Sequence, residues 1–186
     1  MGINLKETDL IYPYFVTGGT GKKVKIKSFP DTFRYSVDRL LGDIEKTGKL
    51  GLNKILLFGI PDAKDNLGSA AYGKGNIVSG AVNRIKREFP GLTVMTDICL
   101  CAYTAHGHCG ILERDGRRIE QKTTLEALSK MALSHAEAGA DWVAPSAMAK
   151  RQVSAIRHAL DKNGYKKTKI MGYSAKFASN FYGPFR

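Results

Sequence analysis

The sequence lacks the features that mark several large protein classes. None of its apolar runs reaches the about 18 residues that a transmembrane helix needs, and residues 1–9 hold no apolar signal core. Internal repeats and low-complexity linkers are also absent. The 186 residues, 43% of them hydrophobic and 25% charged, have an ordinary globular composition. We therefore expect one domain over residues 1–186, a cytoplasmic location and no membrane partner.

Acidic residues are scarce relative to basic ones. The chain has 17 Asp and Glu against 29 Lys and Arg, which gives a formal net charge of +12. The basic residues are scattered, with denser groups only at 22–27 and 166–169, and no helix-turn-helix, zinc-finger or aromatic RNA-binding pattern accompanies them. A solvated basic surface that suits an anionic substrate is favoured over a nucleic-acid partner, which stays the alternative.

Cysteines are few, but they are clustered. Cys99, Cys101 and Cys109 lie within eleven residues, and an odd, tight set argues against a disulfide framework. Thiolates bind zinc, and three protein ligands leave a fourth position open, as catalytic zinc sites do. His106 and His108 lie inside the cluster and could tune such a metal or move protons. Metal binding and buried structural cysteines both remain open on spacing alone.

Short apolar runs alternate with longer amphipathic stretches along the chain. The pattern predicts strands at 10–16, 54–60, 92–98, 142–145 and 169–173, separated by helices at 37–50, 77–88, 124–138 and 153–163. Repeated strand–helix units predict an α/β fold with a parallel sheet and helices outside it. An open doubly wound sheet and a piece of an eight-stranded barrel both fit this order.

Polar residues follow several predicted strands at their carboxyl ends. Asp97, Cys99, Ser146 and Lys176 occupy such positions, which is where barrel enzymes place their chemistry. A lysine just after a buried strand can be partly desolvated, which frees its neutral amine to attack a carbonyl group. An ordinary surface lysine is the alternative at that position.

The glycine-rich segment 62–75 carries no phosphate-binding signature of the Walker type. A flexible lid over an active site and an ordinary surface loop are equally compatible with its composition.

Four longer segments carry a resemblance to a known family. They are 56–61, 97–110, 140–146 and 173–186, and together they resemble porphobilinogen synthase, also called 5-aminolevulinate dehydratase, from Leu10 to Arg186. The resemblance implies an eight-stranded (β/α) barrel of the TIM type. It also implies a lyase of tetrapyrrole (heme) biosynthesis that condenses two 5-aminolevulinate molecules to porphobilinogen through lysine Schiff bases and zinc.

The resemblance also implies roles for individual residues. The zinc ligands would be Cys99, Cys101 and Cys109. The catalytic groups would be the Schiff-base lysine and two polar residues that line the site: Lys176, Asp97 and Ser146. Substrate contacts would come from two aromatic residues and a carboxylate-binding arginine: Tyr182, Phe185 and Arg186.

The chain departs from the family in three ways. Only about five of the eight barrel strands are expected, and the family's second Schiff-base lysine has no counterpart. The family typically reads Asp-Met-Met-Asp-Gly-Arg where residues 147–152 read Ala-Met-Ala-Lys-Arg-Gln, and the N-terminal arm is short. We expect a partial barrel that another chain completes or covers, and a homo-oligomer. The alternative function is a truncated, non-catalytic relative that binds zinc or substrate, or partners a full-length synthase.

Overall fold

Parallel strands and helices alternate in the computed structural model, which describes residues 4–177. In chain order the elements are β1 Tyr12–Thr17, β2 Lys23–Lys25, β3 Phe33–Tyr35, α1 Val37–Gly48, β4 Lys54–Ile60, α2 Ile77–Glu88, β5 Thr93–Ile98, α3 Gln121–Glu137, β6 Trp142–Pro145, α4 Gln152–Lys162 and β7 Lys169–Ile170. Short 3-10 helices span Glu7–Asp9 and Ser69–Ala71.

One sheet contains all seven described strands, in the order β2-β3-β1-β4-β5-β6-β7. Every pair is parallel except β2 with β3. Within residues 4–177 the sheet does not close, and β2 and β7 form its two edges. The fold is thus an α/β sheet of the partial-barrel kind.

The five predicted strands are present, together with two short strands, β2 and β3, that were not predicted. β2 and β3 have three residues each, and all three residues of β2 are exposed. Such short strands bury too little apolar surface to produce a periodic pattern. At the other edge, β7 ends at Ile170, three residues earlier than expected.

Apolar helix faces cover the outer side of the sheet. Leu40 and Ile44 of α1 and Val82 and Ile85 of α2 are buried in one core cluster with strands β1 and β4. A second cluster lies between α3, α4 and the carboxyl end of the sheet. Leu56, Met95 and Ala144 form a third, smaller cluster on neighbouring strands. No helix between residues 4 and 177 is long and apolar enough to cross a membrane.

Parallel pairing brings the carboxyl ends of β4, β5 and β6 to the same end of the sheet. Asp97 lies opposite Ala144 and Ile98 lies opposite Pro145 in the register of β5 and β6. The Ser146 backbone N–H donates to the Ile98 carbonyl at 3.2 Å, which extends the pairing past the end of β6. The residues that follow these strands therefore meet at one end of the sheet.

Candidate metal centre and active site

The three cysteines lie together in the segment that follows β5, residues 99–110, which we call the cysteine loop. Cys99 and Cys101 are buried, Cys109 is half-buried, and none forms a disulfide. One sulphur from each cysteine lies within 4.8 Å of the other two, and the Cys99 thiol donates to the Cys101 sulphur at 3.4 Å. The clustering that the sequence predicted is therefore present in space.

Thr104 fixes the shape of the cysteine loop from inside. Its side chain is fully buried, and its hydroxyl lies 2.8 Å from the His108 carbonyl and 3.2 Å from the Leu100 carbonyl. Leu100 separates two of the cysteines, and His108 immediately precedes the third. Sharing one proton between these carbonyls holds the two arms of the loop together and so brings the sulphurs into one place.

Lys176 reaches the same cluster from the segment that follows β7. Its Nζ lies 3.3 Å from the Cys99 sulphur and 3.1 Å from the Cys109 sulphur. The pKa of the Cys109 thiol is far below its usual value because Cys101 and Cys99 hydrogen-bond to its sulphur and the Lys176 cation lies beside it. Hydrogen bonding to Cys109 and burial raise the pKa of Cys101, and hydrogen bonds to Cys101 and Cys109 together with burial raise the pKa of Cys99. The three sulphurs and the Lys176 amine therefore form one connected group.

Asp97 and Ser146 form a second, buried pair at the ends of β5 and β6. The Ser146 hydroxyl donates to Asp97 Oδ1 at 2.5 Å. Burial raises the pKa of Asp97 to about 6, although the Ser146 hydrogen bond and the nearby Lys176 cation both lower it. A carboxyl group with such a pKa can hold or release a proton near neutral pH.

The donor set fits a metal ion such as zinc. Three thiolates at a tetrahedral centre with Zn–S bonds of about 2.3 Å lie about 3.8 Å apart. The three sulphurs here lie within 4.8 Å of one another, with those of Cys99 and Cys101 3.4 Å apart. Within residues 4–177, no other set of three or more His, Cys, Asp or Glu side chains converges in this way. The metal-binding interpretation is therefore compatible with the geometry, and three ligands leave a fourth position for another molecule.

The two histidines of the cysteine loop make contacts away from the sulphurs. The His108 backbone N–H donates to His106 Nδ1 at 3.1 Å, and His106 Nε2 lies 3.4 Å from the Asn66 carbonyl. His106 thus links the cysteine loop to the glycine-rich segment.

The segment that follows Ser146 adopts an unusual backbone conformation. Met148 and Arg151 have φ angles of 59° and 63°, in the left-handed region that few non-glycine residues adopt. The Gln121 side chain donates to the Lys150 carbonyl at 2.5 Å. Tyr182, Phe185 and Arg186, the predicted substrate contacts, lie outside the described residues.

Two contacts of the cysteine loop were missed by the sequence analysis. The glycine-rich segment 62–75, which is exposed over residues 62–67, is joined to the loop through an isolated parallel bridge between Asp65 and Thr104. The Tyr103 side chain packs against Gly59, where an added Cβ would lie 2.0 Å from the Tyr103 hydroxyl. The spacing of Asp65 to Gly68 and Ser69 is typical of a turn and was the available signal for the first contact.

Comparisons of sequence and fold match this chain to known proteins. A sequence profile described as delta-aminolevulinic acid dehydratase matches residues 2–186. A delta-aminolevulinic acid dehydratase of Methanothermus sociabilis is 53% identical over 182 residues, with 98% of this chain and 56% of the relative covered. The enzyme of the same name from Bacillus subtilis strain 168 is 44% identical, with the same coverage.

A solved structure is also similar. The crystal structure of delta-aminolevulinic acid dehydratase (porphobilinogen synthase) from Toxoplasma gondii ME49, in complex with the reaction product porphobilinogen, matches with a TM-score of 0.93 at 36% identity. The match covers 98% of this chain and 52% of that chain. The chain thus spans about half the length of these relatives.

Proposed function

Because this chain belongs to the delta-aminolevulinic acid dehydratase family, we propose that its site takes part in condensing two 5-aminolevulinate molecules to porphobilinogen in tetrapyrrole biosynthesis. One observation carries the proposal. The Lys176 amine lies within 3.3 Å of two sulphurs in a three-cysteine cluster. Its positive charge also lies near enough to the hydrogen-bonded pair of Asp97 and Ser146 to lower the pKa of Asp97. The carboxyl-terminal end of the sheet thus brings together a nucleophilic amine, a carboxyl group that can exchange a proton, and a set of side chains that can ligate a metal.

Lys176 would act as the nucleophile. Its unprotonated amine attacks the ketone carbon of 5-aminolevulinate, and loss of water from the resulting carbinolamine gives a Schiff base. That loss requires a proton on the departing oxygen. Asp97 is placed to exchange such a proton, since its pKa of about 6 leaves both protonation states populated near neutral pH.

Ser146 would hold Asp97 in position for that exchange. The hydroxyl donates to Oδ1, which leaves the other carboxyl oxygen for the substrate or for Lys176. Both side chains are buried, so bulk water competes little for the proton.

Zinc is the metal that we propose for the three cysteines, and Cys99, Cys101 and Cys109 would hold it. When bound, zinc supplies Lewis-acid polarisation of a substrate carbonyl group. Metal analysis of the reduced protein tests this assignment. About one equivalent of zinc is expected, and less than a tenth of an equivalent would contradict it.

A second candidate function is binding of zinc or substrate without turnover, alone or as partner to a full-length synthase. The segment 147–152 favours it. The family's acidic residue next to Ser146 is replaced by Ala147, and Arg151 stands where the family has glycine. Porphobilinogen formation by the purified chain would exclude this candidate.

A homo-oligomer is the partner that we propose. Phe58, Trp142, Met171 and Tyr173 are only partly buried around the small cluster of Leu56, Met95 and Ala144, and the strands at both edges of the sheet have one unpaired side within the described chain. Open edges and apolar faces of this kind are normally covered. Light scattering at micromolar concentration should give a dimer or larger assembly, and a clean monomer would contradict the proposal.

Trapping of the Schiff base tests the catalytic proposal directly. Zinc-loaded, reduced protein is incubated with 5-aminolevulinate and borohydride, and the adduct is mapped by mass spectrometry. We expect one reduced adduct at Lys176 that is lost in Lys176→Arg. Lys169→Arg is the matched control, because Lys169 lies in β7 and contacts the Trp142 ring rather than the cysteines. An adduct that persists in Lys176→Arg would contradict the proposal.

A further inference from the structure

The glycine-rich segment 62–75 is joined to the cysteine loop by backbone hydrogen bonds. The Ala105 N–H donates to the Asp65 carbonyl at 2.9 Å, and the Asp65 N–H donates to the Tyr103 carbonyl at 3.3 Å. These bonds enclose Thr104, the residue whose hydroxyl holds the two arms of the cysteine loop together. The two segments therefore behave as one short piece of parallel sheet at this point.

The Asp65 side chain fixes the turn that makes this pairing possible. Oδ1 accepts from the backbone N–H groups of Leu67 at 2.9 Å and Ser69 at 3.0 Å, and Oδ2 accepts from the Ser69 hydroxyl. The hydrogen bond from the Ser69 hydroxyl, with those from the backbone amides, holds the pKa of Asp65 below its usual value. A carboxylate at this position thus orders the segment from Asp65 to Ser69.

The ordered turn also packs directly on the cysteine loop. Gly68 has a φ angle of 64° and is buried, and a Cβ added there would meet Leu100 Cδ2 and Thr104 Cγ2, both at 3.4 Å. Asn66 adds the 3.4 Å contact between its carbonyl and His106 Nε2. The turn therefore touches residues between Cys99 and Cys101 and residues between Cys101 and Cys109.

We propose that Asp65 is a positioning residue of the metal site, which acts by ordering the segment 62–75 against the cysteine loop. This inference rests on the proposed zinc binding by Cys99, Cys101 and Cys109. Asp65 ligates no metal. It restricts the conformations of the cysteine loop in the metal-free protein. Metal binding then loses less conformational entropy, and zinc affinity is higher.

Zinc affinity of Asp65 variants tests the proposal. Affinity is measured on reduced protein by competition with a chromophoric chelator, and the sulphur-to-metal charge-transfer band of the cobalt-substituted protein reports thiolate ligation. Asp65→Ala should lower zinc affinity about tenfold, as removal of outer-sphere partners of metal ligands typically does. Asp65→Asn should recover most of the affinity, because the amide oxygen still accepts the backbone N–H groups.

Asp38→Ala is the matched control for loss of an exposed carboxylate that accepts backbone N–H. Asp38 accepts from the Gly21 N–H at 2.9 and 3.2 Å, in another part of the chain. We expect unchanged zinc affinity in Asp38→Ala and a similar unfolding free energy for both metal-free alanine variants. If Asp65→Ala does not fold, Ser69→Ala removes one bond of the same turn and should still weaken zinc binding.

Two results would overturn the inference, and they can be told apart. A wild-type protein that binds no zinc with its thiols reduced would overturn this proposal together with the proposed function. Zinc binding by the wild-type protein with equal affinity in Asp65→Ala and Asp38→Ala would overturn the role of Asp65 alone.

Discussion

Two loops at the carboxyl-terminal end of the sheet differ in how firmly hydrogen bonds hold their backbones. The cysteine loop, residues 99–110, is held from inside by the buried Thr104 hydroxyl and from outside by Asp65 and its turn. The loop after β6, residues 147–151, contains two non-glycine residues in the left-handed region, Met148 and Arg151. The cysteine loop is thus held in place by hydrogen bonds, whereas the loop after β6 has a strained backbone.

The difference follows the resemblance to the family. The cysteine loop follows the pattern that carries the resemblance. Its Gly107 has a φ angle of 72°, which favours glycine, and the Thr104 hydroxyl contacts carbonyls on both arms of the loop. The loop after β6 departs from the pattern, and Arg151, at the position where the pattern implied by the resemblance has glycine, adopts a left-handed backbone with a φ angle of 63°. A substitution there costs conformational free energy, of the order of 1–2 kcal/mol per residue in that region.

Removing a sulphur from the well-supported loop should have the largest effect. Cys109→Ser removes one of three proposed ligands, and we expect zinc affinity to fall by more than about a hundredfold, beyond the loss typical of outer-sphere changes. Chelator competition measures this loss. Cys109→Ser protein that binds zinc as tightly as the wild type would show that the loop is structural rather than metal-binding.

Acidification should lower the free energy of unfolding of the protein. His135 of α3 is fully buried, neither of its ring nitrogens has a partner within the described residues, and burial lowers its pKa from 6.5 to about 3. Between these values the unfolded chain binds a proton that the folded chain does not. Stability should therefore fall as the pH drops below 6.5, by at most about 1.4 kcal/mol per unit.

Urea unfolding between pH 7 and pH 4.5 measures this slope, and His135→Met should have a shallower one. Equal slopes in the two proteins would assign the acid sensitivity to other groups. His135→Met should also be as stable as the wild type or more stable at pH 7, because it removes unpaired polar atoms from the core.

A methyl group added at Gly59 should disturb the cysteine loop through Tyr103. The new Cβ would lie 2.0 Å from the Tyr103 hydroxyl and 2.7 Å from Val78 Cγ2. We expect Gly59→Ala to cost about 2–3 kcal/mol of unfolding free energy, as overpacking of a core does. Denaturant unfolding of the single variant gives the value.

A double variant separates this clash from other effects of the substitution. The Tyr103 hydroxyl is buried without a hydrogen-bond partner among residues 4–177, so Tyr103→Phe alone should be close to neutral. In Gly59→Ala with Tyr103→Phe the nearest clash disappears, and part of the lost stability should return. Strict additivity of the two single effects would contradict the assigned contact.

Glycine at position 151 should relieve the strained loop, with the smallest effect of the series. Arg151 is exposed with a φ angle of 63°, so Arg151→Gly should raise the free energy of unfolding by about 1 kcal/mol. Lys49→Gly is the matched control, since Lys49 is also exposed and basic but has a φ angle of −64°. The control should be destabilised, and an equal change in both variants would exclude strain at Arg151.

The sequence predicted the elements that bury a continuous apolar pattern. β4, α2 and β6 begin and end where the apolar pattern places them, because each has one or two buried faces. The meeting of Asp97, Cys99 and Ser146 also followed from the pattern, since parallel strands end at one edge. The pattern also placed Lys176 at this end of the sheet, whereas its direct contact with two of the sulphurs depends on the path of the segment after β7, which no local pattern specifies.

The remaining features depend on contacts that the local sequence does not encode. β2 and β3 are held by pairing with a neighbour rather than by an apolar face. The turn at Asp65 has a local sequence signal, but its pairing with the cysteine loop uses backbone groups of Asp65, Tyr103 and Ala105, which every residue possesses, so the sequence does not specify the partner. The sequence also gives no signal for the left-handed conformation of Arg151, because arginine seldom adopts a positive φ angle and so predicts an ordinary backbone there.

The coupling of Lys176 to the cysteines is the central claim, and the rate of adduct formation tests it most directly. The Lys176 amine donates to the Cys99 and Cys109 sulphurs. Zinc on these sulphurs would remove both partners, so trapping of 5-aminolevulinate by borohydride at Lys176 should be faster in zinc-loaded than in zinc-free reduced protein. Equal rates in the two forms would contradict a single site made of the lysine and the three cysteines.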